Sequence, residues 1–341
     1  MGAIERVILS LPVTLEAAIG ESLRALPSSQ WISAARSLSE RYRAEREGTP
    51  QPMARGDVAA LGYAAMIMPA AYAQLSGAMR YAAERAYGWH PSTMLDIGSG
   101  PGTALWAAVE RWPSLHTLVA WERESAFIGL GRRLAKSSDN PAVVGARWEQ
   151  VTLGNQVPRG TASYDLVVLG HVLNELAEPL QREVVTLAWE RCAGVLLIVE
   201  PGTSAAFPVV RRAREQLIEM GAQTLAPCVH DKPCPLEGDW CHFPQKLHRP
   251  AYQRRAKEGT AGWEESKFSY AAMSRFAPGT PLWGRLIHQP HSGKAGVEVT
   301  VSSRDGIVRP YVSRRNRPLF KVLSDLAWGD ALPNPPDTEG R

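Results

Sequence analysis

Hydrophobic positions follow a helical period over the first part of the chain. Across residues 1–47 apolar residues recur at steps of three and four, for example Ile4-Ile8-Leu11 and Trp31-Ala35-Leu38, which predicts amphipathic helices interrupted near Pro27. An Ala-rich segment over residues 58–87 predicts two further helices, broken near Pro69. Residues 1–88 are therefore predicted to form an N-terminal helical domain.

From residue 93 onward, short β-rich runs alternate with helical segments, which is typical of a parallel sheet covered by helices. The predicted strands are 93–97, 117–121, 146–153, 165–169 and 195–200. The predicted helices are 103–111, 125–136, 178–191 and 205–220. Residues 89–221 are therefore expected to form a doubly wound α/β core.

The pattern becomes less regular after this core. Residues 222–266 are rich in Pro, His, Trp and Cys, which predicts an irregular insert held by something other than a hydrophobic core. Strand-like runs resume across 267–332 and predict a small antiparallel sheet that completes the core. Residues 333–341 are predicted to form a disordered tail.

The first predicted strand runs directly into Asp96-Ile97-Gly98-Ser99-Gly100-Pro101-Gly102. Glycines at alternate positions let the backbone approach a ligand, and the following helix offers its N-terminal amides. Dinucleotide-binding sheets use G-x-G-x-x-G and usually lack a carboxylate two residues before the first glycine. Because a carboxylate suits the ammonium group of S-adenosylmethionine, the loop predicts this cofactor and the class I methyltransferase fold, which is Rossmann-like.

A second acidic residue is expected at the end of the second strand, where it would accept hydrogen bonds from ribose hydroxyls. Glu122 occupies that position. The predicted cofactor-binding residues are Asp96, Gly98, Ser99, Gly100, Gly102 and Glu122.

The fourth strand leads into a polar segment at the sheet edge where cofactor and methyl acceptor should meet. His171, Asn174 and Glu175 are the catalytic candidates there; alternatively, Asn174 and Glu175 only cap the following helix. The segment contains neither an Asn-Pro-Pro-Tyr box for amino-group methylation nor a cysteine nucleophile, so the methyl acceptor is not predicted.

Three of the four cysteines, Cys228, Cys234 and Cys241, lie within fourteen positions, and His230, His242 and His248 extend the cluster to twenty-one residues. Closely spaced thiolates repel one another unless a cation neutralises them, which favours a metal site over free thiols. The spacings fit neither a zinc ribbon nor a bacterial ferredoxin, so zinc and iron–sulfur both remain open. The fourth cysteine, Cys192, is predicted to be a small buried hydrophobic residue.

The positive charge is concentrated in the C-terminal part. Residues 207–341 hold 20 Lys and Arg against 14 Asp and Glu, whereas residues 1–206 hold 18 against 20. Such clusters either bind phosphates or form a solvated surface. The three clusters are Arg211, Arg212 and Arg214; Lys246, Arg249, Arg254, Arg255 and Lys257; and Arg309, Arg314, Arg315, Arg317 and Lys321.

Two features bear on location. No apolar run approaches the roughly 20 residues of a membrane helix, so no membrane partner is expected. Residues 1–26 include Glu5, Glu16 and Glu21 and lack a recognisable targeting pattern, which predicts a cytoplasmic protein.

Several segments together resemble one family, the methyltransferase-like small-ribosomal-subunit assembly proteins, known from mitochondria and with bacterial relatives. The matching segments are 35–43, 95–107, 170–176, 200–203, 227–243, 267–270 and 328–330.

The resemblance implies binding to small-subunit ribosomal RNA, with no DNA partner, and a four-iron cluster on four cysteines. Cys228, Cys234 and Cys241 match three of these, but Ser302 and Ser303 stand where the fourth is expected. The departure leaves a serine, histidine or external fourth ligand, a three-iron cluster, a Cys3His zinc site, or no metal. The resemblance favours iron–sulfur over zinc.

Two functional hypotheses follow. The first is a methyltransferase acting on ribosomal RNA. The second is a non-catalytic assembly factor in which the metal insert orders an RNA-binding surface, since methyl transfer is not established for some members of the family. The predicted RNA-binding residues are Arg254, Arg255, Arg314, Arg315 and Arg317.

Overall fold

The computed structural model describes residues 8–46, 56–154, 162–257 and 259–336. Before the first strand, these residues form helices α1 Val13–Arg24, α2 Ser28–Arg46, α3 Asp57–Met66 and α4 Met68–Arg85. The break between α3 and α4 falls at Ile67, next to Pro69, as predicted.

The prediction of helix through residues 4–11 is wrong for residues 8–11, which are not helical. Leu9 forms a parallel bridge to Leu247, with its amide donating to the Lys246 carbonyl at 2.9 Å. Residues 1–7 lie outside the described part of the chain.

The main sheet has eight strands: β1 Thr93–Ile97, β2 Thr117–Glu122, β3 Arg147–Gln150, β4 Tyr164–Gly170, β5 Cys192–Pro201, β6 Gln223–Ala226, β7 Phe243–His248 and β8 Trp263–Ser274. The strand order is β3-β2-β1-β4-β5-β8-β6, with β7 paired to β8. Strands β1 to β5 pair in parallel, whereas β8 is antiparallel to β5, β6 and β7. This topology, with an antiparallel strand inserted beside β5, confirms the predicted class I methyltransferase fold.

Both faces of the sheet are buried by helices, which explains the nearly continuous apolar runs in its strands. The helices are α5 Thr103–Arg111, α6 Ser125–Ala135, α7 Pro141–Val144, α8 Glu178–Glu190, α9 Phe207–Glu219 and α10 Ala251–Lys257. Met94 and the N-terminal helices share one core cluster, whereas Leu95 and the apolar residues of α8 and α9 share the other. Successive strand residues therefore point into different cores, as strand geometry requires. Cys192 is buried, as predicted.

The prediction that residues 222–266 form an irregular insert is wrong in part. The segment contributes β6, β7 and α10, and Leu225, Ala226 and Phe243 belong to a main core cluster. Residues 267–273 belong to β8 in the central sheet and not to a separate one. In β7, proline and histidine interrupt the sequence pattern of a strand, although buried and more exposed residues alternate along it in the structure. The domain boundaries at residues 88, 221, 266 and 332 stay a prediction.

The C-terminal segment adds two small sheets and one helix. The elements are β9 Gly284–Leu286, β10 His291–Ser292, β11 Gly296–Glu298, β12 Val301–Ser303, β13 Gly306–Val308, β14 Tyr311–Ser313, α11 Arg317–Asp325 and β15 Ala331–Leu332. They enclose a separate apolar cluster that includes Leu286, Val312 and Leu323. Of the predicted disordered tail, residues 337–341 lie outside the described residues.

Among the described helices, none alone is long and apolar enough to cross a membrane; α3 and α4 meet that criterion together but are bent by 55° where they join.

Candidate cofactor-binding site

The loop after β1 makes a tight turn held against the end of β2. Gly98, Gly100 and Gly102 have φ values of +71°, +53° and +85°, a region that L side chains rarely adopt. The amides of Gly98 and Ser99 both donate to the Trp121 carbonyl, at 2.8 and 2.9 Å. These two bonds fix the loop against the end of β2.

The three glycines have different surroundings. A Cβ atom at Gly98 would lie 2.5 Å from Val172, and one at Gly102 would lie 2.7 Å from Trp148. A Cβ atom at Gly100 would meet nothing within 4 Å. The outer glycines therefore permit close packing, whereas the middle one faces open space.

Asp96 and Glu122 lie on either side of this turn, and both are buried. Burial, and then the nearby Glu122, raise the pKa of Asp96 to about 8, and its Oδ2 has no hydrogen-bond partner. Glu122 accepts from the Gly100 amide through Oε2 and from the Glu124 amide through Oε1, each at 2.8 Å. Burial also raises the pKa of Glu122. Ser99 is buried too, and its hydroxyl donates to the Gly100 carbonyl at 3.4 Å.

The loop after β4 carries the catalytic candidates. His171 has a φ of +60°, unusual for a residue with a side chain, and its amide donates to the Val199 carbonyl at 2.8 Å. Burial lowers the pKa of His171 to about 4, so its ring is neutral at pH 7, and Nε2 has no partner. Asn174 and Glu175 lie in a 3-10 turn, Leu173–Glu175. The capping alternative is wrong, because Ala177 is the N-cap of α8 and makes no side-chain cap bond.

Sequence reasoning missed Glu200, which is fully buried at the end of β5. Its Oε1 accepts from the amides of Leu173 and Asn174, at 2.8 and 3.4 Å, and its Oε2 has no partner. Burial raises its pKa to about 8. The available signal was a lone acidic residue closing an apolar strand at the edge where ligands bind.

Tyr63 of α3 was also missed. Its phenol lies close enough to Glu175, Glu122 and Asp96 that their charges add to burial in raising its pKa. Its ring packs edge-on against Phe127, with centroids 5.3 Å apart. Nothing in the local sequence indicates this contact, which arises only when α3 folds over the sheet edge.

Of the fifteen buried polar side-chain atoms that have no partner among the described residues, five lie at one edge of the sheet. They belong to residues at or just after the carboxyl ends of β1, β4 and β5: Asp96 Oδ2, Thr103 Oγ1, His171 Nε2, Asn174 Oδ1 and Glu200 Oε2. Buried groups of this kind cost free energy unless something bonds to them. A polar ligand such as S-adenosylmethionine would supply those bonds, so the residues present fit the cofactor.

The three clustered cysteines line one cavity. Cys228, Cys234 and Cys241 share it with Ser302. The hydroxyl of Ser303 instead donates to the Gly306 carbonyl at 3.0 Å and accepts from the Asp305 amide at 3.1 Å. Of the two serines at the predicted fourth position, Ser302 therefore faces the thiols.

The thiols as arranged do not form a site for a single ion. Among the described residues, no group of three or more His, Cys, Asp or Glu side chains could hold one. Burial raises the pKa of Cys228 and Cys241, and the neighbouring thiols raise it further for both. Nδ1 of His230 and Nδ1 of His242 lie within hydrogen-bond distance of the Lys232 amide and the Trp240 carbonyl, 3.1 Å in each case. The structure thus gives no support to a preformed zinc site.

The predicted RNA-binding arginines are all exposed, but they lie on separate elements. Arg254 and Arg255 are on α10, whereas Arg314, Arg315 and Arg317 surround the start of α11.

Other members of the basic clusters have protein partners. Arg214 is buried and donates to the carbonyls of Lys232 and His230, at 3.1 and 2.5 Å, so its prediction as a phosphate contact is wrong. Arg249 and Lys257 both bind Glu264, at 2.9 and 2.6 Å.

A family model described as "Mitochondrial small ribosomal subunit Rsm22" matches residues 57–333 of the chain. The chain belongs to this family. The match spans the cofactor loop, the loop after β4 and the cysteine segment, and it confirms the resemblance found in the sequence.

Two relatives illustrate the relationship. The chain is 28% identical over 293 residues to human "Ribosome assembly protein METTL17, mitochondrial", covering 80% of the chain and 62% of the relative. It is 24% identical over 301 residues to "Rsm22-cox11 tandem protein 2, mitochondrial" of Schizosaccharomyces pombe, covering 70% and 38%. The chain therefore spans less than two thirds of the length of these relatives.

Solved structures resemble the chain more weakly. An O-methyltransferase family protein from Burkholderia thailandensis is 16% identical, with a TM-score of 0.40, over 61% of this chain and 67% of that one. A precorrin-6y C5,15-methyltransferase from Geobacter metallireducens is 14% identical, with a TM-score of 0.38, over 57% and 85%.

The comparisons correct one prediction. The matched family and both relatives are described as mitochondrial, which contradicts the cytoplasmic location predicted from residues 1–26.

Proposed function

We propose that this protein binds S-adenosylmethionine and acts on the RNA of the small ribosomal subunit during its assembly. The observation that carries the proposal is the unpaired carboxylate of Asp96 beside the open face of Gly100. Membership of the Rsm22 family supports the ribosomal target, because the related human protein is described as a ribosome assembly protein.

The residues have distinct roles in this proposal. Asp96 would hold the ammonium group of the cofactor, and Glu122 would use its remaining lone pairs for the ribose hydroxyls. The unpaired Nε2 of His171 and Oδ1 of Asn174 would orient the acceptor base. When bound, S-adenosylmethionine would supply a methyl group on a positively charged sulfur. Because burial keeps His171 neutral, its unpaired Nε2 would be available for a hydrogen bond with the acceptor.

Complementation of a strain lacking the protein tests this proposal. Wild type and Asp139→Ala, which removes an exposed carboxylate, should restore small subunits in sucrose gradients. Mass spectrometry of the small-subunit RNA should show a methyl group in the strains that carry wild type or Asp139→Ala. That methyl group should be absent from the strain that carries Asp96→Ala. If small-subunit RNA and subunit levels are the same with and without the protein, the proposal is lost.

A non-catalytic assembly factor is the second candidate. It is favoured by the hydrogen bonds that Glu200 accepts from the amides of Leu173 and Asn174, because these bonds shape the loop after β4 and give the residues a structural role. An Asp96→Ala protein that binds no cofactor yet restores subunit levels fully would support this candidate. Failure of that rescue by a folded variant would count against it.

For the cysteine cavity, we propose a polynuclear iron–sulfur cluster in preference to zinc. Three thiols and Ser302 open onto one space, which would place them around such a cluster. The proposal also agrees with the four-iron cluster that the family resemblance implies.

Iron and sulfide analysis of anaerobically purified protein tests the cluster. We expect iron and sulfide in the wild type, loss of both in the triple Cys→Ser variant at 228, 234 and 241, and tighter retention in Ser302→Cys. The triple variant should also have a lower melting temperature, whereas Cys192→Ser should keep its iron. Protein that is colourless and free of metal after anaerobic preparation would end the proposal.

A further inference from the structure

The antiparallel pair β7–β8 extends past the carboxyl edge of the sheet. Strand β8 pairs with β5 from Phe268 onward, where it meets Pro201 at the end of β5, whereas residues 263–267 pair with β7. Leu9 bridges to Leu247 on the other side of β7. This ribbon therefore projects beyond the edge at which Asp96, His171 and Glu200 lie.

The inner face of the ribbon is covered by protein. Gln245 and Leu247 are buried there, and Gln74 of α4 donates to the Ser266 hydroxyl at 2.8 Å. Glu264 on the same face is held by Arg249 and Lys257.

The outer face of the ribbon has a different composition. Side chains alternate along each strand, so six residues share this face: Pro244, Lys246, His248, Trp263, Glu265 and Lys267. We call this set the outer ribbon face. Trp263 is 46% exposed, which is high for a large aromatic side chain, and Glu265 is the single acidic residue in the set.

Each lysine of the outer ribbon face lies near a tryptophan ring, one on the face itself and one on the segment between α11 and β15. The Lys246 amine lies 4.7 Å from the centroid of the Trp263 ring, and the Lys267 amine lies 5.3 Å from that of Trp328.

Further rings continue the row. Trp328 meets His242 edge-on at 4.7 Å, and His242 stacks on Trp240 with centroids 5.2 Å apart and planes 16° from parallel. Trp240 in turn donates to the carbonyl of Gly202 at 3.2 Å, just beyond the end of β5. The row therefore joins the ribbon tip to the carboxyl edge.

We propose that the outer ribbon face binds single-stranded RNA and leads it to the candidate site, an inference that rests on the proposed function. Unpaired bases stack on aromatic rings while amines contact the phosphates between them, and this face offers both. A duplex keeps its base faces stacked internally and presents none to Trp263. The face carries two lysines and one acid among its six residues, and this excess of positive charge suits a polyanion.

Fluorescence anisotropy with a labelled single-stranded RNA tests the role of Trp263. We expect Trp263→Ala to weaken binding by on the order of ten-fold, the typical loss for one stacking side chain, and Trp263→Phe to keep most of the affinity. Tyr87→Ala is the matched control, because Tyr87 is an exposed aromatic residue on the loop after α4. It should bind as wild type does.

The salt dependence of the same titration tests the lysines. Replacing Lys246 and Lys267 together by Ala should reduce the slope of log affinity against log salt by about 0.7 for each lysine. Lys136→Ala on the exposed end of α6 makes the same type of charge change and should leave the slope unaltered.

The outcomes separate this inference from the proposed function. If Trp263→Ala and the double lysine variant bind single-stranded RNA as wild type does, the face is not the RNA surface, although the ribosomal role survives. The inference would also be overturned if the protein bound an RNA duplex of the same length as tightly as single-stranded RNA. Binding to single-stranded DNA but not to single-stranded RNA would overturn it as well. Wild-type protein that binds no RNA would overturn both.

Discussion

At the scale of single residues, the candidate site contains two buried carboxyl groups whose pKa the fold raises. Asp96 and Glu200 are buried, each has one oxygen without a partner, and burial raises the pKa of each to about 8. Such groups oppose folding once they are ionised, unless a cation or donor binds them. They lie at the same edge of the sheet, on two strands that both neighbour β4, and this arrangement is more readily explained by ligand binding than by stability.

This arrangement predicts how the ligand-free protein responds to pH. Between pH 6.5 and about 8 the folded state holds protons on Asp96 and Glu200 that the unfolded state has released, so stability falls as pH rises. We expect the two groups together to lower the free energy of unfolding by roughly 2 kcal/mol per pH unit, as measured by urea titrations. The lowered pKa of His171 has the opposite effect, since it makes stability rise with pH, but it does so only below pH 6.5.

Asp96→Asn and Glu200→Gln provide the controls. Each substitution should flatten the decline in part, because an amide does not titrate. A decline that is unchanged in both variants would show that other groups cause it.

At the scale of elements, the loops that follow β1 and β4 pack against each other. Gly98 lies directly under Val172, while Gly100 faces open space. Both glycines have a positive φ, so a side chain at either position causes backbone strain. A comparison of substitutions at the two positions therefore separates the effect of packing from an effect on ligand binding.

Gly98→Ala and Gly100→Ala should therefore have different effects. Both substitutions cost about 1–2 kcal/mol of backbone strain, and Gly98→Ala adds a clash with Val172. We expect the larger loss of stability for Gly98→Ala in urea unfolding. Gly100→Ala should instead lower cofactor affinity by more than its effect on stability explains. Equal losses on both measures would contradict the assigned surroundings.

The elements near the cofactor loop were largely predictable from the sequence. Strand β1 and helix α5 have the predicted bounds, because uninterrupted apolar runs and a glycine turn encode them locally. The place of β8 beside β5, and the bridge formed by Leu9, depend on pairing between distant segments. Tyr63 reaches its place for the same reason, so the local pattern predicted the glycine loop after β1 but not all the residues that gather around it.

At the scale of the whole molecule, one arginine connects three distant parts of the chain. Arg285 is fully buried and binds Glu84 of α4 at 3.0 Å. It also donates to the carbonyls of Pro227, next to the first clustered cysteine, and Gly329, at 3.1 and 2.7 Å. The N-terminal helices, the cysteine segment and the C-terminal sheet are thereby held together.

Arg285→Met should destabilise the whole protein by roughly 3 kcal/mol, because two buried carbonyls and Glu84 lose their partner. Arg80 contacts the same Glu84 at 3.6 Å but is partly exposed, so Arg80→Met should cost about 1 kcal/mol or less. Thermal unfolding measures both. Similar losses for the two variants would show that Arg285 has no special linking role.

The central claim is that the turn from Asp96 to Gly102 holds S-adenosylmethionine. Calorimetric titration of the purified protein with S-adenosylmethionine tests it most directly. We predict saturable binding at one site, abolished in a folded Asp96→Ala variant and unchanged in Asp139→Ala. Wild-type protein that is folded and yet shows no saturable binding would contradict the account.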